Sequence, residues 1–458
     1  MAKRHTFDYD VLVIGSGASG SVAASILAHG GKRVGIVEKD TLGGESPNYG
    51  DVPLTSLLHA AHLYDDAKHG ERFGIRSSVL GYNFPLLQRW KARAITRTGA
   101  GNNRSYYEKQ GIDVLTGNAH FLSPHEVTIN RRHISAEKFL IASGASWRIP
   151  EIVGLDAVPY YTPRTILEVT KPPKSLFIIG GGGTAVELAQ LFAVFGSKVY
   201  IAEASSRLLP HEDDEVGAAL ASHFEASYGT TVLTESRVVS IEKDGLSYRV
   251  HYSRGGVDKS VRVDDILVAT GRSPIVDFGL ENAGVSYTPQ GIKVNEHLQT
   301  SVKYIFAAGD VLDQSVPTHD ALVQGRLAAH NILNPKNVTT LDYTATPRLI
   351  FTNPSVAAVG LTEDDCMRRD LSIKKSVVPL SIVARSNTSD FHEGFVKLIA
   401  DRKGMLLGAS IVAPHASEMI HELTIALKHN LSISDIAETP HAFLSWNEAI
   451  RVAARKLQ

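Results

Sequence analysis

The most informative shortage in the sequence is cysteine, because a single thiol, Cys366 in TEDDCMRR, serves all 458 residues. With no second cysteine, an intrachain disulfide is excluded, whether structural or catalytic. Long hydrophobic runs are also missing: no stretch reaches the ~18 apolar residues that a membrane-crossing helix needs. The start, MAKRHTFDYDVLVIGSG, passes from a polar leader straight into an apolar strand and has no signal-peptide core. Nor does either sign of charge dominate, since 47 Lys and Arg against 48 Asp and Glu leave a formal net charge of -1. That balance offers no basic field to nucleic acid or anionic lipid. These absences predict a soluble, cytoplasmic protein with no nucleic-acid or membrane partner. What remains is ordinary globular material, 43% apolar, in a chain long enough for about three domains.

Two segments carry the same phosphate-binding plan. DVLVIGSGASGSVAASILAHGGKRVGIVEKD reads as a strand, a turn with Gly15, Gly17 and Gly20 in G-x-G-x-x-G spacing, a helix, and a second strand ending in Glu38. SLFIIGGGGTAVELAQLFAVFGSKVYIAEAS repeats it with Gly180 and Gly182 in register, Ala185 in the third place, and Glu203 at the strand end. The glycines allow a tight turn and close approach of backbone to a pyrophosphate, and the helix N-terminus offers free N–H groups to the anion. One such turn is weak evidence, but two with the same flanking pattern and the same distance to the acidic residue predict two dinucleotide sites. A carboxylate at the ribose position repels a 2′-phosphate, so Glu203 predicts NADH at the second site. Arg207, four residues on, is a cation that could admit NADPH.

With both turns in place the sequence resembles the pyridine nucleotide-disulfide oxidoreductases, the flavoprotein group of dihydrolipoamide dehydrogenase, glutathione reductase and mercuric reductase. Further segments carry the likeness in the family's order: LIASGAS (Leu140 to Ser146), LVATGRSP (Leu267 to Pro274), IFAAGDV (Ile305 to Val311), FTNPSVAAVGLTE (Phe351 to Glu363) and GFVKLIADRKGMLLGASIV (Gly394 to Val412). The resemblance implies an α/β fold of two Rossmann-like domains followed by a C-terminal α+β dimerisation domain. Residues 1–149 and 274–340 would bind FAD, 150–273 would bind NAD(P)H, and 341–458 would pair two copies into a homodimer. FAD would meet Gly15, Gly17, Gly20, Glu38, Gly44, Ser46, Ser143, Gly144, Gly309 and Asp310, the last holding the ribityl chain. NAD would meet Gly180, Gly182, Ala185, Glu203 and Gly271. Within the C-terminal segment, GFVKLIAD and MLLGASIVA joined by RKG read as an antiparallel hairpin. Met419, Ile420, Leu423 and Leu427 mark one face of a helix.

The sequence departs from the family where its sulfur chemistry would sit. Aligned on Gly43, Gly44 and Pro53, the loop GGESPNYGDVP puts Ser46 and Asp51 in the places of the redox cysteines. Thiol-disulfide exchange needs an attacking thiolate and a second sulfur, which a hydroxyl and a carboxylate do not supply. The family's lysine near the flavin falls at Leu54 or Thr55. At the C-terminal end, HAFLSWNE keeps the glutamate, Glu448, and the outer histidine, His441, but puts Phe443 where the acid/base histidine belongs. Gly183 replaces an aromatic that often covers the flavin, which predicts a more open face.

Hydride chemistry resides in the cofactors, so the pattern predicts an FAD-dependent NAD(P)H oxidoreductase that passes electrons directly to a small non-disulfide acceptor such as a quinone. Asp51 is a candidate proton donor, with a raised pKa if buried beside the flavin; the alternative is a loop or helix-capping aspartate. Glu187 matches the family's glutamate near the flavin and, lacking the lysine, is expected to be unpaired; the alternative is a first-turn helix glutamate. Ser46 reads as a small polar filler and Tyr49 as a packing residue. His59 and His62, three apart with no third ligand in sequence register, predict a helix face and no metal. Two other readings share the nucleotide signatures: a redox-inactive scaffold that keeps FAD for stability, and an NADH oxidase.

Overall fold

The computed structural model describes residues 7–76, 80–99, 101–312 and 317–458. They form two compact units. One comprises residues up to 56, 88–148 and 271–341, the other 57–87, 149–270 and 342–458.

The first unit is built on a parallel sheet in the spatial order Ile112–Thr116, Val34–Glu38, Tyr9–Ile14, Arg132–Ile141, Ile305–Ala307. Its strands are continuous apolar runs such as Val11, Leu12 and Val13, all essentially fully buried, as expected of parallel strands covered on both faces. The helices Ala18–His29 and Thr318–Leu333 cross closely because position 325 has no side chain. A Cβ on Gly325 would lie 2.3 Å from the Ser19 carbonyl oxygen. The strand Arg132–Ile141 serves two ladders: its first residues pair antiparallel with Glu126–Ile129, which in turn pairs with Ala119–Ser123.

The second unit repeats this plan. Its parallel sheet runs Thr231–Leu233, Lys198–Ala202, Ser175–Ile179, Asp265–Val268, beside an antiparallel meander of Ser236–Asp244, Ser247–Arg254 and Val257–Val263. Residues 342–458 add a five-stranded antiparallel sheet, in the order Pro347–Ile350, Ser355–Gly360, Leu406–Ala413, Phe395–Asp401, Ile373–Pro379. Its central hairpin pairs Val396 with Ile411, as the sequence pattern predicts. The helix Ala416–Lys428 buries Met419, Ile420, Leu423 and Leu427 on one face.

In both parallel sheets a glycine turn leaves the carboxyl end of a central strand, where open α/β sheets hold their ligands. No helix among the described residues is long and apolar enough to cross a membrane.

Candidate active site

The first turn is a cradle that side chains would destroy. Gly15 has φ +103°, and a Cβ there would lie 2.2 Å from the Ala142 carbonyl oxygen. A Cβ on Gly20 would come within 2.0 Å of the Gly15 oxygen, which sets how close the helix packs to the strand. Gly17 caps the helix Ala18–His29 with no side-chain partner for the first N–H groups, and the space beside its Cα is open. Free helix N–H groups behind an open glycine fit a pyrophosphate. Gly44, at φ +71°, approaches so near that its Cβ would sit 2.6 Å from the Gly17 Cα. The Glu38 carboxylate accepts from Ser16 N–H (3.0 Å), Ser16 Oγ–H (2.6 Å) and Asp40 N–H (2.8 Å). Other expected FAD contacts surround this turn in the same unit. Gly309 N–H donates to buried Gln324 at 2.6 Å. Ser143 Oγ donates to the Ile275 carbonyl at 2.9 Å, and the Gly144 carbonyl accepts from Ile275 N–H at 3.0 Å. The geometry therefore suits FAD, with Asp310 anchored by an ion pair to Arg272 at 2.5 Å. That pair was not foreseen, although Arg272 stands next to Gly271 in the same motif. Gly271, expected at the NAD site, belongs to the segment folded with the first unit, where its carbonyl accepts from Arg148 N–H at 2.9 Å.

The second turn copies the first almost bond for bond. Gly180 has φ +109°, and a Cβ would meet the Ala269 carbonyl at 2.5 Å. Gly182 caps the helix Gly183–Val194, again with no side-chain cap. Glu203 accepts from Gly181 N–H and Ser205 N–H, both at 2.7 Å. Ala185, fully buried, takes the third glycine place with room for its methyl group.

The sulfur-free loop is a hydrogen-bonded cluster. Asp51 opens the helix Asp51–Lys68, and its Oδ2 accepts from Ser46 Oγ and Thr318 Oγ1, each at 2.7 Å. Ser46 is thus a specific partner of Asp51, which corrects its reading as filler. Asp51 itself is exposed, accepting hydroxyls where loop N–H groups were the expected alternative. Tyr49 adds a hydroxyl contact to Thr41 at 2.5 Å. Cys366 lies in the second unit on the helix Glu363–Arg368, buried, and burial pushes its thiol pKa up. It is an inert thiol by both criteria.

Three expectations around the second turn need correction. Glu187 is buried but paired, accepting the Phe351 N–H at 2.7 Å. It also lies beyond the first turn of its helix. The face beside Gly183 is occupied by Ile350, whose Cγ1 lies 3.4 Å from where a Cβ would be. Gln190, which sequence reading passed over, sits one turn beyond Glu187 and clasps Asn353 by its N–H (2.8 Å) and its carbonyl (2.7 Å). Two side chains on one helix face therefore fix the loop 351–353. His62 Nε2 lies 3.2 Å from Gln190 Oε1, and burial lowers its pKa. His59 is exposed, and no group of metal-ligating residues occurs among the described residues.

At the C-terminal end, His441 is locked: Nδ1 meets the Thr439 carbonyl at 2.8 Å and Nε2 meets Glu422 at 2.7 Å, with the side chain 4% exposed. Glu448 accepts the Leu444 N–H at 3.0 Å, while Phe443 is 75% exposed.

Two glycine cradles, one in each unit, each closed by an amide-bound carboxylate, define an oxidoreductase built around two dinucleotides. The chain belongs to the pyridine nucleotide-disulphide oxidoreductases: residues 9–325 match that family and residues 346–454 match its dimerisation domain. Its cofactors are those of the family, FAD and NAD(P)H. It is 33% identical over 450 residues to a mercuric reductase of Bacillus cereus, covering 98% of this chain and 71% of that protein. A dihydrolipoyl dehydrogenase of Geobacillus stearothermophilus is 31% identical over 453 residues, covering 97% and 95%. Among solved structures, the Cu(II) complex of the HOCl-induced flavoprotein disulfide reductase RclA from Escherichia coli superposes with a TM-score of 0.87 at 27% identity, covering 99% of this chain and 100% of that one.

Proposed function

We propose that this protein is an NADH-dependent flavin oxidoreductase that delivers electrons to a small non-disulfide acceptor, a quinone or a compound of similar chemistry. The observation that carries this reading is the Ser46–Asp51 hydrogen bond at 2.7 Å, which fills the family's dithiol place with oxygen. FAD, when bound, supplies hydride acceptance from the nicotinamide and transfer to the acceptor. The chain's own residues bind and orient. Gly15, Gly17, Gly20, Glu38, Gly44, Ser46, Ser143, Gly144, Gly309 and Asp310 hold FAD; Gly180, Gly182, Ala185 and Glu203 hold NADH. Residues 1–149 with 274–340, 150–273 and 341–458 act as the FAD, NADH and dimer-forming parts of a cytoplasmic homodimer.

Asp51 acts as proton donor to the reduced acceptor, with Ser46 and Thr318 fixing its Oδ2 and leaving Oδ1 to carry the proton. Glu187, pinned by the Phe351 N–H, orients the nicotinamide end. Anaerobic NADH should bleach the visible flavin band, and a benzoquinone should restore it while oxidised glutathione and lipoamide do not. Reoxidation by either disulfide would overturn the reading, and an unbleached spectrum would point to a scaffold. Asp51→Asn should remove the decline toward higher pH that a required proton donor imposes on quinone reduction; an unchanged profile eliminates the donor role.

A further inference from the structure

The loop that follows Glu203 folds back over the second glycine turn. Leu209 N–H donates to the Gly181 carbonyl at 2.9 Å, and the Leu208 side chain lies 2.9 Å from where a Gly181 Cβ would be. Arg207 is the one arginine or lysine between Ala204 and Asp213 in this loop. Its guanidinium is nonetheless fully committed elsewhere. Nη1 meets Asp214 at 2.6 Å and Nη2 meets Asp364 at 2.7 Å. The same group donates to the carbonyls of Glu212 at 3.3 Å and Pro210 at 3.4 Å. Glu203, for its part, accepts hydrogen bonds from the backbone amides of Gly181 and Ser205 among the described residues.

A 2′-phosphate brings almost two negative charges to a place where Glu203 already presents one. It would need an opposing cation, and arginine's planar fork is the group best shaped for it. We propose that Asp214 and Asp364 are positioning residues for cofactor choice: they hold Arg207 away from the ribose and so keep the second turn selective for NADH over NADPH. The inference rests on the NADH reading above and adds the residues that enforce it. Asp214 opens the helix Asp214–Tyr228, whereas Asp364 comes from the dimerisation region. Selectivity is thus shared between two separate stretches of chain, and Glu203 does not set it alone.

Binding of ADP-ribose and of 2′-phospho-ADP-ribose to the FAD-loaded protein, measured by calorimetry, tests this without any electron transfer. The wild type should prefer the unphosphorylated ligand. Asp214→Asn with Asp364→Asn should narrow that preference about three- to fivefold, the range that exposed ion pairs command. Adding Arg207→Ala to the double variant should restore the original ratio, whereas Arg207→Ala alone should barely move it. Asp364→Glu should keep the wild-type ratio. Each single Asn variant should show part of the effect, so the test survives if the double variant folds poorly. An unchanged ratio in the Asn variants, or no restoration by Arg207→Ala, overturns the proposal. A wild type that prefers the phosphorylated ligand overturns the NADH reading instead.

Discussion

The two nucleotide turns share their backbone plan and differ in how they are buttressed. In the first, Ser16 Oγ both donates to Glu38 and accepts from Gly43 N–H, and Gly20 lets the helix ride against the Gly15 carbonyl. The second has a bare Gly181 in place of Ser16 and a methyl group at Ala185. Support there comes from charge. The acidic run Glu212 to Glu215 meets the dimerisation region side chain by side chain: Glu212 accepts two bonds from Arg348, at 2.7 and 2.8 Å, and Asp213 and Glu215 meet Lys397 at 3.2 and 2.7 Å. The lesson is that one fold can secure the same cradle by close backbone packing or by ion pairing. The two modes should fail differently.

The largest difference is expected at the third turn position. Gly20→Ala places a Cβ against a backbone oxygen that cannot yield, so the protein should be recovered without flavin, or not recovered folded. Ala185→Gly only removes a methyl and adds a flexible residue to a helix, costing about 1 kcal/mol. Flavin content per chain and thermal midpoint read both. Comparable damage from the two changes would show that the turns are buttressed alike.

Next comes Lys397→Met. Lys397 is fully buried against Asp213, Glu215 and Glu363, and removing it strands the buried Asp213 carboxylate in the interior. Breaking a buried pair of this kind costs about 3–5 kcal/mol. The loss should fall on NADH binding and chemical unfolding of the second unit while flavin stays bound. Burial opposes charge on both partners, but their pairing outweighs it: the pKa of Glu363 is lowered by Lys375 and Lys397, and that of Lys397 is raised by Glu215 and Glu363. A depressed carboxylate stabilises the fold above its ordinary value of 4.5, and that contribution fades as pH falls through the lowered pKa. The raised lysine stabilises below its ordinary 10.5 and loses its effect as pH climbs past the higher value. Lys397→Met should therefore destabilise most between these limits and flatten both flanks of the stability profile.

Much of this was legible in the sequence because it is local. Strand, glycine turn, helix and acidic strand end lie within one continuous stretch, so spacing alone locates Gly15, Gly17, Gly20 and Glu38, and again Gly180, Gly182 and Glu203. The hairpin from Phe395 to Ala413 is legible for the same reason. What escaped notice involves partners far apart along the chain. Glu187 looked unpaired because its donor, the Phe351 N–H, is a backbone group that no side-chain pattern reports. Gly183 looked open because Ile350 arrives from another strand. Arg207 looked available for a phosphate because Asp364 is distant in sequence. The Ser46–Asp51 contact, by contrast, spans five residues and joins the two side chains that stand in the places of the family's sulfurs.

The smallest expected difference lies at Glu38 and Glu203, the carboxylates that the proposed binding mode places at the two riboses. Glutamine at either site keeps one acceptor oxygen and turns the other position into a donor facing backbone N–H groups. At Glu203 both partners are rigid amides, so Glu203→Gln should weaken NADH binding about tenfold, in line with losing a charge-assisted bond. At Glu38 one of the three donors is a hydroxyl that can rotate to accept from the new amide, which leaves fewer bonds broken. Glu38→Gln should accordingly weaken FAD binding by a smaller factor, and Ser16→Ala with Glu38→Gln should bring the loss up to that at Glu203. Equal losses in the two single variants would mean that Ser16 contributes no adaptability, and that the first turn depends on its glycines alone.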